Sequence, residues 1–511
     1  MQRVEDPVSL LQLLKNGAPE APAIAAPGRP ATTYAELRAL AEQVRGELRT
    51  AGLGRNDTVA IVLPNGPEMA TAFVTMGAAV TTAPLNPAYK AEEFDFYLTD
   101  LNASVLVLPR GVDSPARAIA EHRGIPILAL DAGEGPAGTF RLAPESKVTR
   151  SPSTDGPLEA DDVALVLHTS GTTARPKLVP LTSANLCASA RHIHETLSLV
   201  AGDVCLNVMP LFHIHGLIAA VLATLSAGAS VSCTPGFDAL KFFGWLESVG
   251  PTWYTAVPTM HQAILARAAR NVAIAKNARL RFIRSSSASL PPQVMKELED
   301  TFGAPVIEAY GMSEAAHQMA SNPLPPRARK AGSVGLAAGP EIAIMDDAGA
   351  LLPAGEEGEV VIRGPNVTRG YVGAPEANAK AFTNGWFRTG DRGKLDAEGY
   401  LHLTGRIKEL INRGGEKVSP LEVDAVLMDH PAVAQVVTFG VPHDKLGEEV
   451  AAAIVLREGM TVTERELKDL AAKRLAAFKV PRTIVFVETI PKGPTGKMQR
   501  IGLAQRLGLT S

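Results

Sequence analysis

Apolar residues recur at helical spacing from Tyr34 to Ala51 and again from Glu68 to Ala79, and Gly52-Leu53-Gly54 closes the first of these runs. Short apolar blocks between and after them predict buried strands at Val59 to Leu63, Val105 to Leu108, Ile125 to Leu130 and Val163 to His168. The same alternation continues through Val204 to Val208 and Arg281 to Arg284. Strands alternating with helices imply βαβ units and mostly parallel sheets covered on both faces. The polar stretch from Pro144 to Gly156 reads as a linker into the next strand. From about Gly335 the texture changes. Short strand patterns at Glu341 to Met345 and Gly358 to Arg363 are separated by Gly, Pro and Asp turns, which predicts a small β-barrel-like subdomain. A compact tail follows Gly405-Arg406, strand-like at Val433 to Phe439, Ala451 to Leu456 and Thr483 to Val487, and helical at Glu464 to Leu475. The expected fold class is α/β: a large N-terminal domain of layered αβ sheets over 1–406, including the β subdomain, and a small α+β C-terminal domain over 407–511.

The length of 511 residues fits several domain-sized units. With 46% hydrophobic and 20% charged residues, the chain has the mix of a soluble globular protein. A formal net charge of −3 gives no basic footprint for nucleic acid. The longest apolar run, Leu217 to Val231, is too short to span a bilayer and contains Gly228. The first residues carry acids and no apolar signal core, and the last four, Gly508-Leu509-Thr510-Ser511, are not a peroxisomal address. Cys187, Cys205 and Cys233 lack metal-ligand spacing and read as small buried hydrophobes in a reducing, cytoplasmic setting.

Chemistry enters after the strand at Val163. There Thr169-Ser170-Gly171-Thr172-Thr173-Ala174-Arg175-Pro176-Lys177 places four hydroxyls, a glycine and two cations in nine residues. Hydroxyls and backbone N–H groups can bond phosphate oxygens while Lys177 supplies charge, so the run suits a polyphosphate. A Walker A loop is absent. The run resembles the phosphate loop of adenylate-forming enzymes, the superfamily of acyl-CoA synthetases, luciferase and peptide-synthetase adenylation domains. That family has Gly where this chain has Ala174 and Leu178.

Further segments resemble the same family in the same order. Pro210-Leu211-Phe212-His213-Ile214-His215-Gly216 is similar to the segment lying near the acyl and CoA channels, which implies a functional His213. A histidine read alone is more often structural, and His215 stays open to either role. Tyr310-Gly311-Met312-Ser313-Glu314 resembles the family's Tyr-Gly-x-Thr-Glu motif, in which an aromatic ring can stack on adenine and a carboxylate can hold magnesium between phosphates. The resemblance extends the nucleotide pocket to Glu308, Ala309, Tyr310, Gly311 and Ser313, and assigns Mg2+ to Glu314 with Thr172. Trp386-Phe387-Arg388-Thr389-Gly390-Asp391 implies Asp391 as the acceptor for both ribose hydroxyls. Arg406 falls at the ribose–phosphate position, Lys408 at the family's hinge, and Gly414-Gly415-Glu416 in the turn that lines the thiol channel. Pro491-Lys492-Gly493-Pro494-Thr495-Gly496-Lys497 places Lys497 as the catalytic lysine of adenylation. An ammonium there suits charge developing as a carboxylate oxygen attacks the α-phosphorus and pyrophosphate departs. The resemblance therefore implies ATP, Mg2+ and coenzyme A as the reaction's partners, and a C-terminal domain that is mobile at the hinge.

The acyl pocket is more particular. Arg284-Ser285-Ser286-Ser287-Ala288-Ser289-Leu290 stands where many relatives carry Gly-Gly-Ala-Pro-Leu, and His317 follows three residues after Glu314 where small residues are usual. Small volume, hydroxyls and an imidazole suit a second carboxylate on a small acid. The alternative is that His317 bonds a backbone carbonyl and the serines fill turns. Trp253 to Thr259, Leu280 to Leu290, Ser321 to Pro325 and Gly364 to Thr368 resemble oxalate–CoA ligases of plants and fungi. That resemblance implies oxalate as substrate, with Ser287 and His317 on its distal carboxylate and Ala288 and Ser289 beside them. A medium-chain or aromatic acid, and an acceptor other than free CoA, are the alternative readings. Neither an obligatory protein partner nor a nucleic acid is expected.

Overall fold

The structure, a computed structural model, describes residues 6–145, 154–169, 176–493 and 497–509. Two large sheets dominate it. The seven-stranded one runs Phe140–Pro144, Ile127–Ala132, Val105–Pro109, Thr58–Ile61, Thr81–Pro84, Val163–His168, Leu178–Thr182. Its inner strands are parallel and both edges antiparallel. The nine-stranded one runs Leu336–Ala337, His317–Ser321, Val306–Met312, Phe282–Ser285, Trp253–Ala256, Val204–Asn207, Ser230–Cys233, Pro22–Ala26, Arg29–Thr33. It is parallel from Val306–Met312 to Pro22–Ala26 and antiparallel outside that stretch. Local chemistry fixes the helices around them. Tyr34–Thr50 starts on a capping box between Thr33 and Glu36 and buries Tyr34, Leu37, Leu40, Ala41, Val44 and Leu48, the three-and-four spacing of one apolar face.

Helix Pro67–Met76 is buried along nearly its whole surface and touches strands of both sheets, Thr81–Pro84 in one and Pro22–Ala26 and Ser230–Cys233 in the other. A helix apolar all round must lie inside, and this one forms the centre of the main core. The apolar run from Leu217 has the same destination. Residues His215–Leu222 form a wide π-type helical turn, all eight buried. A Cβ on Gly216 would lie 2.3 Å from the Pro210 carbonyl oxygen, so only glycine lets the chain enter that turn. No helix among the described residues is long and apolar enough to cross a membrane.

A six-stranded antiparallel sheet follows, built from Glu341–Met345, Leu351–Leu352, Gly358–Arg363, Phe382–Thr383, Trp386–Leu395 and Leu401–Arg406. The tail makes its own five-stranded sheet from Ile411–Arg413, Glu416–Val418, Val433–His443, Gly447–Leu456 and Thr483–Phe486. Helices Pro420–Met428 and Glu464–Ala472 accompany that sheet. Its apolar residues join a core with Phe242, Phe243, Leu246 and Met295 of the large body. Arg457 pairs with Glu297 at 3.0 Å, and Gln262 donates to the Ala434 carbonyl at 3.1 Å across the same junction.

Two elements depart from the sequence expectation. Leu178–Thr182 pairs antiparallel with Val163–His168 although it contains Pro180, which the edge of a sheet tolerates. The hairpin Pro22–Ala26 and Arg29–Thr33 closes the nine-stranded sheet without a strong alternating pattern. Of the segment expected to be a linker, Phe140–Pro144 includes its first residue as an edge strand, and 146–153 lie outside the described residues.

Candidate active site

Parallel strands Trp253–Ala256, Phe282–Ser285 and Val306–Met312 lie side by side and end at one edge, where ligands of open α/β sheets bind. Register places Thr255 beside Arg284, and Ser285 beside Glu308. Beyond Met312 the chain makes a short turn, Ser313–Ala315, then reverses through Ala316 (φ 46) and His317 (φ 89) into the antiparallel strand His317–Ser321. Left-handed backbone at two non-glycine residues persists only where surroundings hold it. Here Asn366 Nδ2 donates to the carbonyls of Ala315 and Gln318, both at 2.7 Å, and Ser189 Oγ donates to the Ala316 carbonyl at 2.5 Å. The reversal brings His317 onto Gly311, where a Cβ would sit 1.6 Å from the His317 carbonyl oxygen. Residue 311 must therefore be glycine.

Glu314 is buried on this turn and accepts a hydrogen bond from the Tyr371 hydroxyl at 2.9 Å. Burial raises its pKa, opposed by that hydrogen bond and by the charges of Arg406 and Lys177. The Lys177 ammonium lies 4.3 Å over the Tyr371 ring. Thr169 and Lys177 close the base of the hydroxyl-rich loop: Thr169 N–H donates to the Lys177 carbonyl at 2.9 Å, and Lys177 N–H to Thr169 Oγ1 at 3.0 Å. Ser170, Gly171, Thr172, Thr173 and Ala174 lie outside the described residues. Leu178, the other departure from the family's glycines, is buried at the start of its strand.

Tyr310, at the end of the buried run Glu308–Ala309, donates to Asp391 at 2.5 Å, and Arg406 approaches the other oxygen of Asp391 at 3.2 Å. Glu308 accepts from the Leu290 N–H at 2.9 Å, and burial pushes its carboxyl up to about 8. Lys497 enters the same cluster from the tail. Desolvation lowers its pKa to about 8, assisted by the neighbouring Arg406 charge and opposed by Asp391, Glu314 and Glu409. Three residues on, Arg500 fixes the segment by donating to the Thr438 carbonyl at 2.8 Å and pairing with Asp424 at 2.5 Å. His213 is pushed down to about 3, chiefly by burial and then by Lys497. The structure thus gathers Lys177, Tyr310, Glu314, Asp391, Arg406, Lys497 and His213.

Other expected residues lie elsewhere. Ala288 and Ser289 are exposed, Ser287 half-buried. Lys408 is exposed in the turn Ile407–Glu409. Gly414, Gly415 and Glu416 are exposed at the hairpin joining Ile411–Arg413 to Glu416–Val418, where φ of +61 and +95 suits the two glycines. Among the described residues no hydrogen bond or ion pair joins them to the Lys497 cluster.

Behind Glu314 sits a buried polar group. His215 accepts or donates at Ser287 Oγ (3.0 Å) and Thr255 Oγ1 (2.6 Å), and its ring stacks on His317 at 4.9 Å. Arg284 reaches His215 Nε2 at 3.4 Å and donates to Gln318 Oε1 at 3.2 Å. Among the described residues neither ring nitrogen of His317 has a hydrogen-bond partner, and none of their backbone carbonyls takes this imidazole. Sequence reading missed Tyr371, Thr255 and Gln318, and took Arg284 as the end of a strand and the start of a serine run, without a role of its own. Tyr371 stood three residues past the quoted segment Gly364 to Thr368, and its only signal was an aromatic following Gly370.

Magnesium binds through one or two carboxylates together with substrate phosphates and retained waters. Glu314, a buried carboxylate beside the phosphate-loop lysine, fits that role. No group of three or more metal-ligating acids, histidines or cysteines occurs among the described residues.

A buried acid on a turn, an aspartate paired with an arginine, and a lysine from the tail come together in this α/β protein. The sequence pattern of AMP-binding enzymes matches residues 14–372, and that of the AMP-binding enzyme C-terminal domain matches 422–497. The chain is 47% identical to an oxalate–CoA ligase of Arabidopsis thaliana, over 98% of this chain and 99% of that protein. It is 43% identical to the oxalate–CoA ligase of Saccharomyces cerevisiae, over 89% and 88%. The ATP-bound crystal structure of MatB from Rhodopseudomonas palustris superposes with a TM-score of 0.85 at 32% identity, covering 96% of this chain and 97% of that one. The chain belongs to the AMP-binding enzyme family.

Proposed function

We propose that this AMP-forming acid–CoA ligase takes oxalate, yielding oxalyl-CoA, AMP and pyrophosphate. The observation that carries the choice of acid is the buried polar cluster of Ser287, Thr255, His215, His317 and Arg284, whose guanidinium has no acidic partner among the described residues. A second carboxylate on a two-carbon acid suits it, whereas an acyl chain or aromatic ring would bury those polar groups unpaired. Two relatives named as oxalate–CoA ligases support the same reading.

A carboxylate is a poor electrophile, because resonance and charge protect its carbon. In the first half-reaction one carboxylate oxygen attacks the α-phosphorus, and the bond to pyrophosphate breaks. Lys497 neutralises charge at that phosphorus, Asp391 holds the ribose, Tyr310 supports Asp391 and the adenine, and Arg406 faces the ribose–phosphate. Glu314 and the hydroxyl-rich loop would hold Mg2+, which offsets phosphate charge. In the second half-reaction the thiol sulfur attacks the acyl carbon, AMP leaves, and the thiol proton passes to solvent. We read 1–406 as the adenylating unit and 407–511 as a unit turning near Lys408. That turn withdraws Lys497 and brings the exposed Gly414–Gly415–Glu416 hairpin to the site. Ser287 and His317 meet the distal carboxylate. Three buried free thiols, Cys187, Cys205 and Cys233, fit a reducing cytoplasm.

The test is AMP release, with and without CoA, across oxalate, malonate, acetate, octanoate and a cinnamate. Oxalate should give the highest kcat/KM, and AMP should accumulate catalytically only with CoA. Preference for octanoate or cinnamate would return the pocket to the apolar-acid reading. Turnover without CoA would point to another acceptor.

A further inference from the structure

Arg284 is wholly buried at the end of strand Phe282–Ser285, and among the described residues it makes no ion pair. A buried cation without a counter-charge costs several kcal/mol unless something offsets it, so its contacts need a reason. Its NH1 faces His215 Nε2 at 3.4 Å and Thr255 Oγ1 at 3.5 Å, and its NH2 donates to Gln318 Oε1 at 3.2 Å. A guanidinium has only donors. A proton on His215 Nε2 could go to Thr255 Oγ1, but it would leave the Arg284 N–H facing a nitrogen with no free lone pair. With Nε2 bare, the same nitrogen accepts from the Thr255 hydroxyl at 2.6 Å and from Arg284. The neutral ring's proton is then on Nδ1, which faces Ser287 Oγ at 3.0 Å. Ser287 accepts that hydrogen bond, and its own hydroxyl proton is left to point away from His215. Ser287 is half-buried and held at φ 75, a conformation a serine adopts only where its neighbours impose it.

We infer that Arg284 is a positioning residue that sets the His215 tautomer, so that Ser287 presents its hydroxyl proton to the distal carboxylate of a dicarboxylic acid. The relay is directional: guanidinium to imidazole to serine to substrate. Gln318 holds the other arm of the guanidinium, and His317, stacked on His215, has two ring nitrogens that are unpartnered among the described residues. Burial and the Arg284 charge both hold the two imidazoles neutral, which keeps the tautomer, rather than the charge, of His215 as the variable. The specificity half of the inference rests on the oxalate reading. The tautomer half does not.

Two measurements test it. Nitrogen-15 spectra of the histidine-labelled full-length protein, with His215 assigned by the His215→Asn difference, should show Nδ1–H and a bare Nε2 in the unliganded enzyme. Steady-state kinetics of Arg284→Met should then show KM for oxalate raised on the order of 10- to 100-fold, the effect of losing one hydrogen bond to a charged group. KM for glyoxylate, which is similar in size but has one carboxylate, should stay within about twofold, and the His215 signals of the variant should move toward Nε2–H. Arg284→Lys keeps the charge without the fork and should fall between the two. An Nε2–H tautomer in the wild type overturns the inference even if Arg284→Met fails to fold. Equal losses on oxalate and glyoxylate also overturn it. A wild-type enzyme inactive on oxalate refutes the substrate reading, and with it the specificity half, while the spectrum still decides the tautomer.

Discussion

Lys497 offers the sharpest quantitative prediction. Its ammonium is drawn out of water, which together with the Arg406 charge lowers its pKa from 10.5 to about 8 against the opposing charges of Asp391, Glu314 and Glu409. Only the protonated form can neutralise charge at the α-phosphorus. With a pKa of about 8, roughly nine-tenths of the enzyme is competent at pH 7, half at pH 8 and roughly one-tenth at pH 9. Pyrophosphate exchange at subsaturating ATP should fall about tenfold per pH unit above 8, and this limb reports the free enzyme. Bound triphosphate adds negative charge beside the ammonium and must raise its pKa, so the limb at saturating substrates should move to higher pH. Lys497→Arg replaces the group by one that stays charged throughout, so its residual exchange should lose the alkaline limb. Lys497→Ala should lose exchange yet still convert supplied oxalyl-adenylate and CoA to the thioester. A wild-type profile flat to pH 10, or a limb that persists in Lys497→Arg, would remove Lys497 from the first half-reaction.

Two further outcomes follow from buried carboxyls. Tyr371→Phe deletes the hydrogen bond to Glu314 and keeps the ring under Lys177, so the magnesium concentration for half-maximal exchange should rise about tenfold while KM for oxalate is unchanged. Glu314→Gln should be worse still in the same magnesium titration. Glu308 has its carboxyl pushed up to about 8 against an ordinary 4.5, so between those values the folded protein holds a proton that the unfolded chain has lost. Stability should therefore fall as pH rises from 4.5 to 8 and level off above, a total of up to roughly 5 kcal/mol. Glu308→Gln keeps an acceptor for the Leu290 N–H and should melt above the wild type at pH 8.5 but level with it at pH 4.5; parallel melting curves at all pH values would refute the assignment.

What could be read from the chain, and what could not, divides along a physical line. Val163–His168, Glu341–Met345 and Gly358–Arg363 have the predicted bounds because each is a local apolar pattern ended by turn residues, and patterns of that length suffice to fix a strand. The segments at Tyr310–Glu314, Trp386–Asp391 and Pro491–Lys497 were legible for a different reason: they resemble motifs of one family in the same order, although each alone reads as ordinary core or surface. Arg284, Thr255 and Gln318 carry no such mark. The strand pattern from Arg281 to Arg284 does not say that Arg284 is wholly buried; it becomes a buried cation because strands Trp253–Ala256 and Val306–Met312 flank Phe282–Ser285 on both sides. That adjacency is decided by the order of strands in a nine-stranded sheet, which no window of sequence contains. The same holds for Tyr371, which acquires its role from two contacts, to Lys177 and Glu314, that lie 194 and 57 positions away in the chain. Residues that react are thus written locally, while residues that orient them are written in topology. His215, His317 and Ser287 belong to the latter class: they are common polar side chains, and the guanidinium that the sheet sets against His215 is what would make them the oxalate site proposed above.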